Sequence, residues 1–508
     1  MAFCRTGVTQ NASLHTGDPM IARREESPLY PFLNPTSIAF YGASNSFSAM
    51  GTTQFRNITE LGFPGNLYPI HPKLGRVQGI TAYRSILDLP ETPELAVMVL
   101  PTRVVPELLE ECGRKGVKSV IIVSGGFKEV GGEGVTLQSR IVSIADQYRM
   151  RFLGPNCIGV VNSHSRLNTT FFPYDTAPGF IGMVSQSGSF VTQMFSYLRR
   201  FGIGFSSAIS VGNEASIDIV ECLKYLAACP HTKVIALYIE AIRRGREFLE
   251  VARGVTPHKP IVAFYVGGSE AGKRAGFSHT GAMAGPDRLY DGVFRQSGII
   301  RARSIEELFD FCWVLGSCPL PKGNQVVIQT HSGGPGAAAA DACSRTGLRL
   351  PSLSPATRQK LAPLVPRTGS INNPVDLTFT KNPLDYFHRI PKTLLEGEET
   401  DGLLVYFLVP TQTVRRALES MGLGEEQVSE QSRKIIEQQS EAVASLVGEL
   451  GKPVIGYSFR SREDSFIAHL ENNGVPVLGS PERGARAMGA LMHYARYRTL
   501  GRIWPSSP

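Results

Sequence analysis

The chain has 508 residues, of which 42% are hydrophobic and 19% charged, and a formal net charge of +8. One hydrophobic core stops growing below this size, so two to four domains are expected, and the composition is typical of a soluble α/β protein, not a disordered or fibrous one. The positive charge is spread along the chain without a long Lys/Arg run, which favours an anionic small ligand over nucleic acid.

The lengths of the apolar runs and the cysteine pattern exclude further classes of protein. The run LLVYFLVP at 403–410 is strand-length, well short of the roughly 20 residues that cross a membrane, so no spanning segment is predicted. The first thirty residues contain no apolar core region and are interpreted as a loose tail instead of a signal peptide. Eight cysteines without a C-x-x-C pair favour a reduced, cytoplasmic chain, and no metal site is predicted.

Apolar, β-rich segments alternate with helix-length segments from Ser37 onward, which indicates βαβ units and parallel sheets. The alternation falls into three sets, and the Pro/Gly-rich stretch 315–324 is the clearest linker between the second and the third. The sequence therefore predicts a tail followed by three α/β domains, with the bounds 1–30, 31–163, 164–318 and 323–508.

The first strand is followed by the turn Gly42-Ala43-Ser44, which lacks the G-x-G-x-x-G spacing. This argues against a dinucleotide fingerprint, and hence against a nicotinamide dehydrogenase, and favours a different nucleotide-like ligand; a plain tight turn is the alternative. Loops at Lys73 and Ser124 follow later strands of the same set. Because the carboxyl ends of parallel strands meet at one edge, these loops are predicted to outline one crevice.

The second and third sets share a strand, turn and helix pattern without a gap. Fourteen residues separate Gly188 from Gly202, and the same number separates Gly333 from Gly347. A Gly-rich turn at the start of a helix presents free N–H groups and the positive end of the helix dipole. Chance coincidence between two α/β units is the alternative interpretation. The pattern predicts two phosphate cradles, at Ser187-Gly188 and at Ser332-Gly333-Gly334.

Two carboxylates follow apolar strands of the second set. Glu240 closes the run KVIALYIE, and Glu214 follows the run FSSAISVGN. Ligand groups gather at the carboxyl ends of parallel strands, although an acidic residue there is more often solvated or a helix cap. Only a partner group distinguishes the two interpretations.

The stretch KRAGFSHTGAMAG, 273–285, places His279 among small residues. A lone histidine is more often structural than catalytic, but a Gly/Ala/Ser-rich segment is poor core material and suits a swinging loop. A neutral imidazole is a nucleophile toward phosphorus when a carboxylate holds its other N–H, so His279 with Glu240 predicts phosphohistidine chemistry. The preceding GGSEAGKR imitates a P-loop, but Arg274 replaces the hydroxyl that would hold Mg²⁺, so it is not interpreted as one.

From Asn34 to Tyr497 the chain resembles the α subunits of NDP-forming (ADP-forming) acyl-CoA synthetases, the acetate–CoA ligases related to succinyl-CoA synthetase. The motifs SIAFYGAS, GFPGNLYPIHPK, RFLGPNCIGVVN, MVSQSG, SVGNEASID, TKVIALYIEAI, SHTGAMAG and HSGGPGAAAADA, followed by NPVDLT, carry the resemblance. Their number and order make it specific. The resemblance implies a Rossmann-like CoA-binding domain at the N-terminal end, then a phosphohistidine domain and a further ligase-CoA domain, both flavodoxin-like.

The resemblance also implies an acid–thiol ligase that reversibly converts acyl-CoA, phosphate and ADP to carboxylic acid, CoA and ATP. In this reaction His279 carries the phosphoryl group, Glu240 orients it, and the two Ser-Gly turns supply opposed helix N-termini. CoA is expected at residues of the first domain: Gly42, Ala43, Ser44, Lys73, Pro101, Ser124 and Gly125. Further candidate site residues are Asn156, Glu214 and His331.

The nucleotide-binding ATP-grasp module of the family has no counterpart among the expected domains. The resemblance therefore implies a separate ATP-grasp subunit in an α2β2-like assembly, with ADP or ATP and Mg²⁺ mainly on that partner. His331 and Tyr265 stand where the family commonly has Asn and Lys. His331 is a candidate phosphate contact, and a surface histidine near a turn is the alternative interpretation. A catalytically inactive CoA-binding regulatory or scaffold protein is the alternative, disfavoured because such a protein has no need of His279 and Glu240.

Overall fold

The computed structural model describes residues 23–270, 272, 285–378, 382, 385–408 and 411–500. It contains three large sheets, one for each of the predicted α/β domains, and each has a core of five parallel strands in the order 2-1-3-4-5. This is the doubly wound order in which ligands bind at the carboxyl ends of the strands. The predicted fold class is confirmed.

The first sheet has the order β2-β1-β5-β6-β7, and all neighbouring strands are parallel. The chain leaves β2 on one side of β1 and returns as β5 on the other, so the switch point lies between β1 and β5. The strands are β1 (Ser37–Tyr41), β2 (Asn66–Ile70), the hairpin β3 (Arg76–Val77) and β4 (Ile80–Thr81), β5 (Leu95–Met98), β6 (Ser119–Ile122) and β7 (Arg151–Leu153), and the helices are α1 (Tyr30–Leu33), α2 (Met50–Glu60), α3 (Val105–Lys115) and α4 (Glu133–Tyr148).

The second sheet has the order β14-β13-β12-β10-β11-β8-β9. Its β8 and β9 run antiparallel to their neighbours and extend the five-stranded parallel core. The strands are β8 (Val160–Asn162), β9 (Leu167–Asn168), β10 (Ile181–Ser185), β11 (Phe205–Ser210), β12 (Val234–Ile239), β13 (Ile261–Tyr265) and β14 (Ile300–Ala302), and the helices are α5 (Gly188–Arg199), α6 (Ile219–Ala228), α7 (Gly245–Val255), α8 (Asp287–Ser297) and α9 (Ile305–Ser317).

The third sheet has the order β16-β15-β17-β18-β19 and is parallel throughout. A single turn of π-helix, Asp385–Arg389, comes directly before the helix Ile390–Glu396, which is followed by β17. The strands are β15 (Val326–Thr330), β16 (Val375–Asp376), β17 (Gly402–Tyr406), β18 (Val454–Tyr457) and β19 (Val477–Leu478), and the helices are α10 (Gly333–Arg345), α11 (Pro355–Leu361), α12 (Ile390–Glu396), α13 (Thr411–Ser420), α14 (Glu425–Leu450), α15 (Ser465–Asn472) and α16 (Pro481–Leu500).

The three sheets share their hydrophobic cores. One cluster joins Phe40 of the first sheet to Val184 of the second, and another joins Phe309 of α9 to Leu491 of α16. Between the first two domains, Gln54 on α2 donates to the carbonyl of Thr169 at 2.8 Å. Because apolar and polar contacts both cross the boundaries, the domains form one packed body.

The sheet pairing differs from the predicted domain bounds in two places. Val160–Asn162 was expected in the first domain but pairs with β11 of the second sheet. Leu29, expected in the tail, has 0% of its surface exposed, so the packed part of the chain begins before residue 31. In both cases burial against a neighbouring element, which the local sequence does not reveal, decides the membership.

The seven cysteines within the described residues are free thiols, and six of them are buried. Among the helices that the structure describes, none is long and apolar enough to cross a membrane.

Candidate functional site

The centre of the site is the edge of the second sheet where β10 and β12 end. These strands pair in parallel with Ser185 beside Tyr238, so the residues that follow them, Ser187 and Glu240, also lie at neighbouring positions. Both are buried. The sequence placed each residue at a strand end, and the register of the sheet brings the two strand ends together.

Gln186, between the two serines of the turn, ties these strand ends to each other. Its Oε1 accepts hydrogen bonds from the backbone N–H of Glu240 at 2.6 Å and of Ala241 at 3.0 Å. Its Nε2 donates to the carbonyl of Ala241 at 2.7 Å and to the carboxylate of Glu214 at 2.8 Å. The Gln186 carboxamide therefore fixes the backbone of Glu240 and links it to Glu214.

Glu214 is a buried carboxylate in a left-handed backbone conformation, with φ of 51°. Burial raises the pKa of its carboxyl to about 7, while Arg243 at 3.9 Å and hydrogen bonds from the Ile219 N–H and the Gln186 amide act to lower that pKa. A carboxyl that titrates near neutrality beside a strand-end site is typical of functional positions.

The two predicted phosphate cradles share a hydrogen-bond arrangement. In the first, the Ser185 hydroxyl donates to the carbonyl of Ser187 at 2.7 Å and accepts from its N–H at 3.1 Å. In the second, the Thr330 hydroxyl makes the same two bonds with Ser332, at 2.8 and 3.1 Å. Helices α5 and α10 begin at the next residue of each turn, Gly188 and Gly333. The near-repeat in the sequence is thus a structural repeat.

The surroundings of the two cradles differ. A Cβ on Gly188 would lie 3.3 Å from the Cβ of Ile158, whereas Ser332, Gly333 and Gly334 are exposed. Beside the second cradle, a Cβ on Gly333 would lie 3.5 Å from a carboxylate oxygen of Asp376. The first cradle is therefore half enclosed by the chain itself, and the second is open beside a negative charge.

His331, the candidate phosphate contact in the second cradle, stacks on the ring of Tyr386 with the centroids 3.5 Å apart. Burial lowers the pKa of its imidazole to about 4, although the nearby Asp376 acts to raise it. The ring is therefore neutral at physiological pH and offers a phosphate no cationic contact.

The predicted CoA residues gather at the switch point of the first sheet. Gly42 follows β1 with φ of 94°, and a Cβ there would lie 2.0 Å from the carbonyl oxygen of Val99, which follows β5. Ser44 bonds through its hydroxyl to Thr52 at 3.0 Å, which fixes the turn to α2. Around this turn Ala43 is buried, and Lys73 and Pro101, at the ends of the strands on either side, are exposed.

A cavity of about 560 Å³ lies beside Pro101, at the N-terminal end of α4. Gly126 and the glycines 131, 132 and 134 line it, so backbone instead of side chains forms much of its wall. Close backbone approach and a helix N-terminus suit a phosphate-bearing ligand. Phe47, 85% exposed near the start of α2, is an apolar side chain of the first domain that the sequence analysis did not select.

Ser124, also predicted at CoA, is buried and donates its hydroxyl to the carbonyl of Leu100 at 2.6 Å. The N–H groups of the following turn, at Gly126 and Phe127, donate to the carboxylate of Glu129 at 2.6 and 3.2 Å. Glu129 was not selected from the sequence. In this structure its side chain occupies the anion position that the turn offers.

Asn156 connects the first domain to the loop of Glu214. Its backbone N–H donates to the carbonyl of Ser124 at 2.9 Å, and its amide lies 3.4 Å from the side-chain oxygen of Asn213. A Cβ on the exposed Gly125 would lie 3.2 Å from the Asn156 side-chain oxygen. Asn213 in turn donates to Glu129 at 2.6 Å, so polar contacts join the crevice of the first domain to the second.

His279 lies outside the described residues. The chain that follows it is anchored at Gly285, whose carbonyl accepts from the hydroxyl of Tyr265 at 2.7 Å. Tyr265, which stands where the resemblance expects lysine, ends β13 and stacks on Tyr290 at 3.6 Å. The residues after the histidine segment are thus held at the same sheet edge as Glu240. Within the described chain, no group of three or more His, Cys, Asp or Glu side chains is placed to hold a metal ion.

Three family descriptions match successive parts of the chain. Residues 36–163 match a CoA binding domain, 178–315 a succinyl-CoA ligase-like flavodoxin domain, and 326–492 a ligase-CoA domain. The three matches follow the three sheets in order, except that the first match also includes β8 of the second sheet.

Relatives also match the chain over most of its length. The chain is 38% identical to the α subunit of ADP-forming acetate–CoA ligase II of Pyrococcus furiosus over 92% of this chain and 97% of that protein. It is 35% identical to ADP-forming acetate–CoA ligase I of Archaeoglobus fulgidus over 92% of this chain and 64% of that protein. Among solved structures, the dinucleotide-forming acetyl-coenzyme A synthetase 1 of Ca. Korarchaeum cryptofilum, in complex with phosphate and ADP, is 33% identical with a TM-score of 0.81, covering 93% of this chain and 97% of that chain.

Proposed function

Because the chain belongs to the family of ADP-forming acetate–CoA ligase α subunits, we propose that it converts acyl-CoA, phosphate and ADP reversibly to a carboxylic acid, CoA and ATP. The observation that carries the proposal for the site is the buried Glu240 held beside the first cradle by Gln186. A buried carboxylate beside a phosphate cradle can orient an imidazole by accepting from its ring N–H, as in a catalytic triad.

The first domain fits CoA. A backbone-lined cavity lies beyond the ends of β5 and β6, at the N-terminal end of α4, where a phosphate is favoured, and the exposed Lys73 follows β2. We assign Gly42, Ala43, Ser44, Lys73, Pro101 and Gly125 to this ligand. Ser124 acts through the backbone, because its hydroxyl fixes the β5 and β6 ends together. Bound acyl-CoA supplies the thioester whose cleavage drives the reaction, and CoA leaves as the thiol.

In the chemical steps, a phosphate oxygen attacks the thioester carbonyl, the C–S bond breaks and the products are an acyl phosphate and the CoA thiol. An imidazole nitrogen of His279 then attacks phosphorus, and the carboxylate leaves. A β-phosphate oxygen of ADP finally takes the phosphoryl group and frees the imidazole. Glu240 holds the other ring N–H, and N–H groups at Gly188 and at Gly333-Gly334 neutralise the phosphoryl oxygens on the two sides of the transfer.

A partner subunit completes the enzyme. The Pyrococcus furiosus relatives are named as α subunits, which implies a β subunit. We assign the ATP-grasp nucleotide site with its Mg²⁺ to that partner, in an α2β2-like complex in the cytoplasm. Free thiols throughout the described cysteines support a reduced compartment. Light scattering of the co-purified complex measures the stoichiometry, and a 1:1 heterodimer would overturn the α2β2 form.

The test uses the complex with its ATP-grasp partner, assayed first with acetyl-CoA, phosphate and ADP. With labelled ATP and Mg²⁺ the α chain should acquire an acid-labile, base-stable phosphate, and His279→Ala should abolish it. His258→Ala, which changes an exposed histidine of the same domain, is the matched control and should keep the label. Label retained by His279→Ala would refute the assignment of the carrier.

Glu240 has its own experiment. Glu240→Gln should slow phosphoryl transfer while CoA binding stays within about twofold of the parent, because Glu240 lies at the strand ends of the second domain, beside the first cradle, and not in the first domain. Glu250→Gln, on the exposed side of α7, is the control. Equal losses of phosphoryl transfer and CoA binding in Glu240→Gln would indicate a structural role instead. No observation specifically favours the inactive CoA-binding alternative.

A further inference from the structure

A second cavity, of about 420 Å³, lies between the second and third domains, away from both the cradles and the CoA crevice. Helix α8 and strand β14 form one wall, and the C-terminal end of α10 with helix α16 forms the other. Its volume is within the range of small-molecule sites. None of its lining residues takes part in the site described above.

The inner surface of this cavity is apolar and its rim is strongly basic. Buried side chains, among them Phe294, Ile299, Leu348 and Tyr494, form the inner surface. Six arginines and two carboxylates line the cavity, and Asp287 and Asp341, outside the lining, also pair with lining arginines, so positive charge exceeds negative by two at neutral pH. The second domain contributes Arg295, Arg301 and Arg303, and the third contributes Arg345, Arg486 and Arg496.

Four carboxylates pair with arginines of this rim and leave it net positive. Asp291 contacts both Arg301, at 2.5 Å, and Arg303, at 3.3 Å, and Asp287 pairs with the same two arginines. Glu307 forms an ion pair with Arg486 at 3.1 Å. Arg345, 78% exposed, pairs only along its own helix, with Asp341. The Nε of Arg301 is buried without a hydrogen-bond partner, which is unusual for a guanidinium.

We propose that this cavity binds a small organic anion that carries an aromatic or other apolar part, such as an aryl phosphate. The apolar part packs against the inner surface, and the anionic group meets arginines at the rim. Because three arginines come from each domain, the bound anion bridges the second and third domains. Binding in this manner stabilises the folded chain in proportion to ligand occupancy.

The probes are phenyl phosphate, inorganic phosphate and phenol, titrated calorimetrically into the full chain. Phenyl phosphate should bind at least about tenfold more tightly than inorganic phosphate and raise the melting temperature, since only it satisfies both the rim and the inner surface. Phenol, which lacks the charge, should bind at least about tenfold more weakly than phenyl phosphate. Equal affinities for phenyl phosphate and inorganic phosphate would overturn the proposal.

Variants of the rim arginines test whether phenyl phosphate binds in this cavity. Arg345→Glu reverses an exposed charge at the rim without removing a buried contact, and it should lower the affinity for phenyl phosphate at least about tenfold. Arg303→Gln is the corresponding test of the arginines on the opposite wall. Arg433→Glu makes the same charge reversal in a comparable exposed i,i+4 pair on α14 and should leave affinity within about twofold. Unchanged affinity in both cavity variants, or an equal loss in Arg433→Glu, would refute the site. His279 labelling is independent of this outcome.

Discussion

The backbone N–H of Glu240 donates to the side-chain Oε1 of Gln186 over 2.6 Å. The same carboxamide donates from its Nε2 to Glu214, so one uncharged side chain fixes the backbone at Glu240 and contacts the carboxylate of Glu214. Gln186 therefore positions the Glu240 backbone beside the first cradle, although Gln186 itself has no ionisable group.

Gln186→Ala should slow phosphorylation of His279 about ten- to hundredfold. The substitution leaves two N–H groups of the β12 end without their acceptor and lets Glu240 shift, and small displacements of a positioning group cost this much in rate. Rapid-quench measurement of the phosphoprotein checks it. Gln439→Ala, a buried glutamine on α14, should lose stability without this loss of rate; equal rate losses would contradict the prediction.

Glu214 should make stability fall as pH rises. Its folded pKa of about 7 exceeds the ordinary value of 4.5, so between these values the folded chain binds more protons than the unfolded chain, and stability decreases until about pH 7. The full effect is of the order of 3 kcal/mol. Glu214→Gln removes it, so the melting temperature of wild type relative to the variant should decline from about pH 5 to about pH 8. A constant difference would contradict the raised pKa.

His331 should make stability change with pH in the direction opposite to that of Glu214. Its folded pKa of about 4 lies below the ordinary value of 6.5, so its contribution to stability is complete above about pH 6.5 and is lost as pH falls toward 4. His331→Phe keeps an aromatic ring against Tyr386 and cannot titrate. Relative to this variant, wild type should lose about 2 kcal/mol of stability between pH 6.5 and pH 5. Unfolding midpoints of wild type and His331→Phe, measured in parallel across this pH range, test the prediction. A difference between them that does not change with pH would mean that the pKa of His331 is ordinary.

Removing the hydroxyl that closes either cradle should lower turnover of the complex. Ser185→Ala and Thr330→Val each leave the N–H and carbonyl of the cap serine without a partner, at a cost of about 1–3 kcal/mol, and loosen the turn that presents N–H groups to phosphate. Thr256→Val removes a buried hydroxyl bonded to the Ala252 carbonyl and is the control. If its turnover falls as far as that of the cradle variants, the effect is general destabilisation.

Gly42→Ala should abolish CoA binding and lower the free energy of unfolding by about 2–4 kcal/mol. A Cβ would lie 2.0 Å from the carbonyl oxygen of Val99, and φ of 94° is strained for any L side chain. Calorimetric titration with CoA and thermal unfolding measure the two effects. Gly245→Ala, with no atom within 4 Å of the added Cβ at the start of α7, should change neither. If Gly42→Ala binds CoA with normal affinity, the assignment of this turn to the CoA site is wrong.

Much of the site followed from local patterns. Glu240, Ser187 and Gly188 were selected because strand ends and Gly-rich helix starts are visible in the order of residue types, and their strands pair as neighbours. Ser185 and Thr330 were missed, although each stands three residues before the glycine of its turn. Comparing the two halves of the near-repeat position by position would have revealed a hydroxyl at both places.

Other members of the site carry no local signal. Glu129 takes the N–H groups of its turn and reaches Asn213, 84 residues later, a pairing that only the packing of the first two domains creates. His331 shows how burial changes a side chain: the sequence predicts a phosphate contact, and burial in the fold lowers the pKa of this imidazole to about 4. Desolvation depends on distant elements and is not encoded in the spacing of neighbours.

The sequence by itself determined three α/β units, their order, the strand-end turns and the residue types of the phosphoryl chemistry, because hydrophobic period and turn composition are local properties. Only the tertiary structure decided that Val160–Asn162 joins the second sheet, that Gln186 couples Glu240 to Glu214, and that six arginines from two domains surround one cavity. Each of these depends on which surfaces pack together, and therefore on contacts between residues far apart in the chain.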